Sequence, residues 1–343
     1  MVRLANVFFG RSKSLSVRLL CTMLLLLLIL VAVAIGAVCV GTEAIDFSAI
    51  FSDPTMHTLF FDLRLPRVMM AALIGASLAI VGAALQALFR NPLADPFILG
   101  VSGGGAVGAS IAIAFGIDRL FGGIPFLFLF AFLGSLLAVF LVYQIARAGR
   151  TILPGALLLA GVAINLIASS AVITIQFLAD PNRAHQILRW TTGSLDIVGF
   201  STIRYMTLFL VPAWIALLMM ADKLHLLAID EDTAATLGVN VKRCELLIHL
   251  LCSLLVAVTV AVGGAVGFVG LIVPHAIRLV FGEDLRIVLP GSLLLGATFL
   301  IAADTVARTA LGSTELPVGA VTALLGGPVF LFLLRRRQKY SAL

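Results

Sequence analysis

The sequence predicts an all-α polytopic membrane protein of about ten transmembrane helices, and three observations carry that reading. Hydrophobic residues make up 61% of the 343 positions and charged residues only 12%, well below the usual quarter of charged residues in a globular domain. Mean hydropathy is +1.16. Apolar runs of membrane-crossing length recur throughout, so residues 1–343 read as a single transmembrane domain with one long polar interruption, 222–243. The net charge of +6 does not point to nucleic acid, because basic residues scattered at span ends are the mark of orientation in lipid.

Taken in order, Arg3, Arg11, Lys13 and Arg18 precede an apolar run over 19–40. That run is longer than a cleavable signal core and suits a full span of about 20 residues. Further spans are expected over 66–88, 97–116, 124–146, 153–178, 204–220, 244–262, 268–281, 289–308 and 317–334. Ten spans put both ends on one side. Sixteen of the 23 Lys and Arg fall on that side, which makes it cytoplasmic.

Several spans carry internal patterns. In the second, Ala71, Gly75, Ala79, Ala83 and Ala87 recur every four residues, a stripe along which another helix can approach closely. In the fifth, Gly161, Asn165, Ser169 and Gln176 share one broad face. Such a face suits a wet translocation path or bonding to neighbouring helices, and the path is the preferred reading. The eighth run, 268–281, holds Pro274 and is too short for a straight crossing, so a short or broken helix beside a cavity is expected. A small-rich helix, a proline-bearing break (91–96 or 283–290) and a Gly-bearing helix echo each other in the two halves, the pattern of an internal duplication. Asp304 precedes Arg308 by one turn, the favourable order for a self-neutralising pair near the outer end of its span.

The polar passage 221–245 reads as an ordered loop. Asp230 to Asp232 supply acids at a helix start, 233–237 a short helix, and Gly238 a left-handed stop. Chemistry is otherwise sparse. No Gly-x-x-x-x-Gly-Lys-Ser/Thr loop occurs and there are four lysines in all, so ATP is not handled by a P-loop of this chain. No catalytic residue and no bound cofactor is expected. His57, His185, His225, His249 and His275 show no metal-ligand spacing, and Cys21, Cys39, Cys244 and Cys252 read as packing residues, so no metal site is expected either.

LRLPR at 63–67, Gln86 with RNPLADP at 90–96, GFVGLIVPHAIR at 267–278, Asp304 with Arg308, and ELPVG at 315–319 together resemble the FecCD-type permeases. These are the membrane subunits of type II ABC importers for iron siderophores, haem and cobalamin. The resemblance runs from the second span to the end. It implies the type II ABC importer permease architecture, in which two permease copies form a homodimer in the bacterial cytoplasmic (inner) membrane. Two separate cytoplasmic ABC ATPase subunits would bind and hydrolyse ATP, and a periplasmic or lipid-anchored binding protein would deliver a metal chelate for import.

Residue by residue, the resemblance assigns Arg64, Arg67 and Arg308 to docking of the binding protein, where fixed guanidinium groups would meet carboxylates. It assigns 229–241 to ATPase coupling, with Ala234, Ala235, Leu237 and Gly238 as the contact core. At the cytoplasmic gate this chain departs from the cobalamin members: Pro154 and Gly155 stand where those have a Thr-Ser pair. With Asn165, Ser169 and Gln176 they complete the expected path or gate. Two rivals remain from the residues alone, an ion-gradient-driven secondary transporter and a membrane receptor without transport. The scarcity of intramembrane acids argues against the first.

Overall fold

A computed structural model of the chain describes residues 15–41, 46, 48–117, 120–121, 124–148, 151–152, 154–311 and 314–341. Of the positions discussed above, Arg3, Arg11 and Lys13 lie outside these, as does the first residue of the expected span 153–178. The first described helix, α1, spans Leu15–Cys39. A turn at Pro54–His57, a π-helical stretch Thr58–Arg64 and α2, Leu65–Leu88, then run on as one continuous rod. The 3-10 turn Pro96–Leu99 leads into α3, Val101–Ala114, and α4 follows at Phe126–Ala146. Next come α5 Pro154–Leu178, α6 Pro181–Thr191, α7 Ser201–Met219, α8 Ala221–Ile229 and α9 Glu231–Thr236. The chain ends with α10 Val241–Gly263, α11 Val269–Phe281, α12 Leu285–Thr309 and α13 Val318–Ser341. Extended structure among the described residues is limited to two antiparallel pairs of two-residue segments, before α4 and before α5.

Among the described residues seven helices are long and apolar enough to cross a membrane, and three shorter apolar ones (Val101–Ala114, Val269–Phe281, Val318–Phe330) bring the set to the ten expected. The third span differs in detail. Gly100, at φ +75, breaks it into the 3-10 turn and α3, because only a left-handed residue turns the chain there. Pro290 was expected within a break, yet it sits inside α12, whose N-cap is Asp284. The break is confined to 282–284, since Pro290 only deletes one bond of a helix already started and packed. The run around Pro274 likewise forms one short continuous helix rather than two pieces.

The centre of the bundle is α2. Some 83% of its best apolar window is buried against 11% for α1, whose Leu20, Leu24, Leu28 and Ile35 face outward. The reason is the small-residue stripe. Ala71, Gly75, Ala79, Ala83 and Ala87 are all buried. A Cβ on Gly75 would overlap the Gly296 carbonyl of α12, and one on Gly82 would overlap Gly270 of α11. Two helices therefore pack on α2 backbone to backbone. The other intimate pair is α3 with α4, where Gly104 meets Gly134. With 24 residues, α2 is about 36 Å long. Arg64 and Arg67 lie at its beginning and Arg90 just past its end.

Candidate functional site

Three sequence-marked arginines converge at the start of α2. Arg67 grips Asp304 of α12 with its Nε (3.1 and 3.2 Å) and Nη2 (3.0 Å), a two-pronged fork on one carboxylate. Its Nη1 reaches Glu315 Oε2 at 2.9 Å and Asp196 Oδ1 at 3.3 Å. Arg308, one turn after Asp304, faces the same carboxylate at 3.1 Å and donates from Nη2 to the Ala37 carbonyl at 3.0 Å. Arg64 donates from Nη1 to the Val38 carbonyl at 3.1 Å and to Cys39 at 3.4 Å. Arg308 and Arg64 thus hold the last carbonyls of α1, the negative end of its dipole.

Burial separates the three. Arg64 and Arg308 are each 6% exposed, and Asp304 is 1% exposed, so this charge cluster is an interior knot tying α1, α2 and α12. The rim is more open: the side chains of Glu315 and Asp196 are about half-exposed, and Asp196 pairs outward with Arg189 at 2.6 Å. A groove of about 640 Å³ opens there, lined by Arg67, His185, Arg189, Ser194, Asp196 and Glu315 among others. Of the three arginines Arg67 lines this groove, and all three line an adjoining cavity of about 500 Å³ together with Asp196 and Glu315.

At the far end of α2, 222–243 forms two helices. Asp230 caps α9 by accepting from Thr233 N at 2.8 Å and from the Thr233 hydroxyl at 2.9 Å. These bonds, the backbone one first, hold its carboxyl below the usual range, with Arg90 adding to the effect. At the other end Gly238 adopts φ +85, with Gly238 N bonded to Ala235 O and Val239 N to Ala234 O, the Schellman closure that a left-handed glycine permits. The helix is two residues earlier at its start than the expected 233–237. Ala235, Leu237 and Gly238 lie on the exposed side, and Leu237 is 63% exposed, whereas Ala234 is fully buried against the body.

The polar face of α5 is partly tied within the chain. Asn165 donates to the Phe97 carbonyl at 2.9 Å and accepts from Gly103 N at 3.1 Å, joining α5 to the Gly100 break. Gln176 donates to the Ala184 carbonyl in α6 at 3.2 Å. Ser169 is exposed. Pro154 opens α5, and Gly155 beside it is exposed with open space where a Cβ would stand.

Sequence reasoning assigned no role to three contributors, although it quoted Gln86 and Arg90 within motifs. Arg90 donates to the Leu227 carbonyl of α8 at 3.2 Å and to Glu231 of α9 at 2.6 Å. Gln86 donates to the Gly270 carbonyl at 3.0 Å and accepts from Arg278. The third is α6, which supplies His185 and Arg189 to the groove. An Asp-Pro start at 180–181 and the buried Ile187 and Trp190, three apart, were the available signals for α6.

A multi-span helical body without a P-loop, a charged knot at one end and an ordered two-helix loop at the other define a membrane transport subunit. The chain belongs to the FecCD transport family, which matches residues 24–336, and it is an ABC transporter permease by class. It is 40% identical over 318 residues to the hemin transport system permease protein HmuU of Yersinia pestis, covering 90% of this chain and 93% of that one. It is 43% identical over 284 residues to the cobalamin import system permease protein BtuC of Halobacterium salinarum, covering 83% and 75%. Among solved structures it resembles an inward-facing conformation of a putative metal-chelate type ABC transporter, with TM-score 0.81, 32% identity and coverage of 92% and 98%. A second, PsaBC from Streptococcus pneumoniae in complex with Fab, shares the fold at TM-score 0.53 and 17% identity, covering 83% and 92%.

Proposed function

We propose that this chain is the permease subunit of an ATP-driven importer that passes a metal chelate (haem, ferric siderophore or cobalamin) across the bacterial cytoplasmic membrane. The single observation that supports this most is membership of the FecCD family across nearly the full length, with relatives named for hemin and cobalamin on either side of it. In this reading two copies form the pore, two ABC ATPase subunits hydrolyse ATP beneath, and both termini are cytoplasmic. The arginine end of α2 is then the outer face, and the α8–α9 loop the inner one.

The binding protein would dock at the arginine end. Arg67 is the guanidinium an incoming carboxylate reaches first, by replacing Glu315 or Asp196 at the rim. Arg64 and Arg308 would act from beneath, by fixing the end of α1 against α12. At the other end Ala235, Leu237 and Gly238 form the exposed side of the ATPase contact, and the buried Ala234 sets how closely α9 lies on the body. Asn165, Ser169 and Gln176, with Pro154 and Gly155 at the inner end, would border the path between the two copies.

The test is uptake in proteoliposomes holding the permease, its ATPase and its binding protein, with labelled hemin, a ferric siderophore and cobalamin supplied in turn. ATP-dependent accumulation of one of them is expected. Uptake that followed an ion gradient and ignored ATP would sink the reading in favour of a secondary transporter.

A further inference from the structure

Arg90 closes α2 in a left-handed conformation, φ +49, with Arg90 N bonded to Ala87 O and Asn91 N to Gln86 O, a Schellman closure made without glycine. From there the guanidinium reaches both helices of the polar loop. Its Nε donates to the Leu227 carbonyl in the last turn of α8 at 3.2 Å, and its Nη2 donates to Glu231 Oε1 in the first turn of α9 at 2.6 Å. A cation is favoured at a helix C-terminus, where free carbonyls gather. One fork therefore fixes the corner between two short helices and fastens it to the end of α2.

The rest of the loop is held more loosely in direction. Leu224, Leu227 and Ala234 pack inward, contacts that permit sliding, and Asp222 approaches Arg286 of α12 only to 3.9 Å. Side chains of Arg90 and Glu231 are 40% and 56% exposed, and a pair that open to water contributes little stability. Stability is thus not what this fork adds, whereas direction is: two charge-assisted bonds from one planar guanidinium hold the corner at a fixed angle to the end of α2. One turn back along α2, Gln86 holds the Gly270 and Leu271 carbonyls of α11. About 35 Å away, in the first turn of α2, Arg67 holds α12.

We propose that Arg90 is the positioning residue that converts displacement of the α8–α9 corner into movement of α2, an inference that rests on the loop being the ATPase contact. The experiment uses full-length permease reconstituted with its ATPase and binding protein, and measures three quantities on each variant: co-purification of the ATPase, ATP hydrolysis, and substrate taken up per ATP. Arg90→Gln is expected to retain the ATPase and hydrolysis while uptake per ATP falls about 10-fold, and Glu231→Gln, which leaves the Leu227 bond, about 3-fold. Arg90→Lys keeps the charge but not the fork and is expected to fall between them.

Should Arg90→Gln fail to insert, Arg90→Lys and Glu231→Gln carry the same test. Unchanged uptake per ATP in these variants overturns the inference. So does loss of ATPase binding with normal uptake per ATP in the complex that remains, which would make Arg90 a part of the docking surface alone. Absence of any ATPase complex with the unaltered chain overturns the reading of the loop itself, and that outcome is separable because it needs no variant.

Discussion

Gln86 donates its side-chain amide to the Gly270 carbonyl at 3.0 Å, the oxygen that Pro274, four residues on, leaves without an intrahelical partner. Arg278, which can only donate, faces the amide oxygen and so fixes which way the amide points. Gln86 is 3% exposed, so water cannot take over either role. Gln86→Leu is expected to lower stability by about 1–3 kcal/mol, the cost of an unsatisfied buried acceptor. Pro274→Ala returns an N–H to Gly270 and should recover part of that loss in the double variant. Thermal unfolding midpoints in detergent decide it: simple additivity of the two changes would mean the two residues do not share that carbonyl.

Close helix approach makes a second expectation. A methyl at Gly75 has no room against the Gly296 carbonyl, so Gly75→Ala must push α12 off α2, costing about 1–3 kcal/mol. Gly155, near the start of α5, has open space at the same position. There the identical substitution removes unfolded-chain freedom and should be neutral or stabilising by about 0.4–1 kcal/mol. Equal unfolding midpoints for the two variants would count against the packing described for α2.

These two cases show why part of the molecule was legible beforehand. The α2 stripe could be read because a helix repeats every 3.6 residues and the contact requires small residues at each repeat. Span number was legible because a bilayer demands a minimum apolar length, and the capped loop because Asp230 and Gly238 act on their own neighbours. By contrast, α6 and α8, of 11 and 9 residues, fall below span length and mix polar with apolar positions. Arg67 meets partners 129, 237 and 248 residues away, pairings no local pattern encodes. Its neighbour pair Asp304 and Arg308 was readable for the opposite reason, being one turn apart. Which side of α9 faces the body was not readable either, because Ala234 and Ala235 are the same residue type and differ only in direction.

Asp304 is the common counter-charge of Arg67 and Arg308, and removing its charge strands two guanidinium groups in the interior. Asp304→Asn is expected to cost about 3–5 kcal/mol, the penalty for breaking a buried pair by one partner. Asp196, half-exposed on the rim and also paired to Arg67, should cost about 0–1 kcal/mol when changed to Asn. The midpoints of both variants test the division into knot and rim. A larger loss at Asp196 than at Asp304 would reverse it.

Two capping aspartates should respond to pH in opposite senses. Burial pushes Asp95 up to about 6, partly offset by the Phe97 N–H that it accepts. Its folded value lies above the ordinary carboxylate value of about 3.9, so the unfolded chain loses its proton first as pH rises. The stability this group lends is therefore full below about pH 4 and is lost as pH rises to about 6. Asp230 is lowered, so its contribution is present above about pH 4 and is lost only as pH falls below that. Asp95→Asn keeps an acceptor for Phe97 N and removes the charge. It should flatten the unfolding midpoint between about pH 4 and 6, a window Asp230→Asn leaves alone. If the unaltered chain and Asp95→Asn followed the same slope through that window, Asp95 would have to be an ordinary, well-hydrated carboxylate.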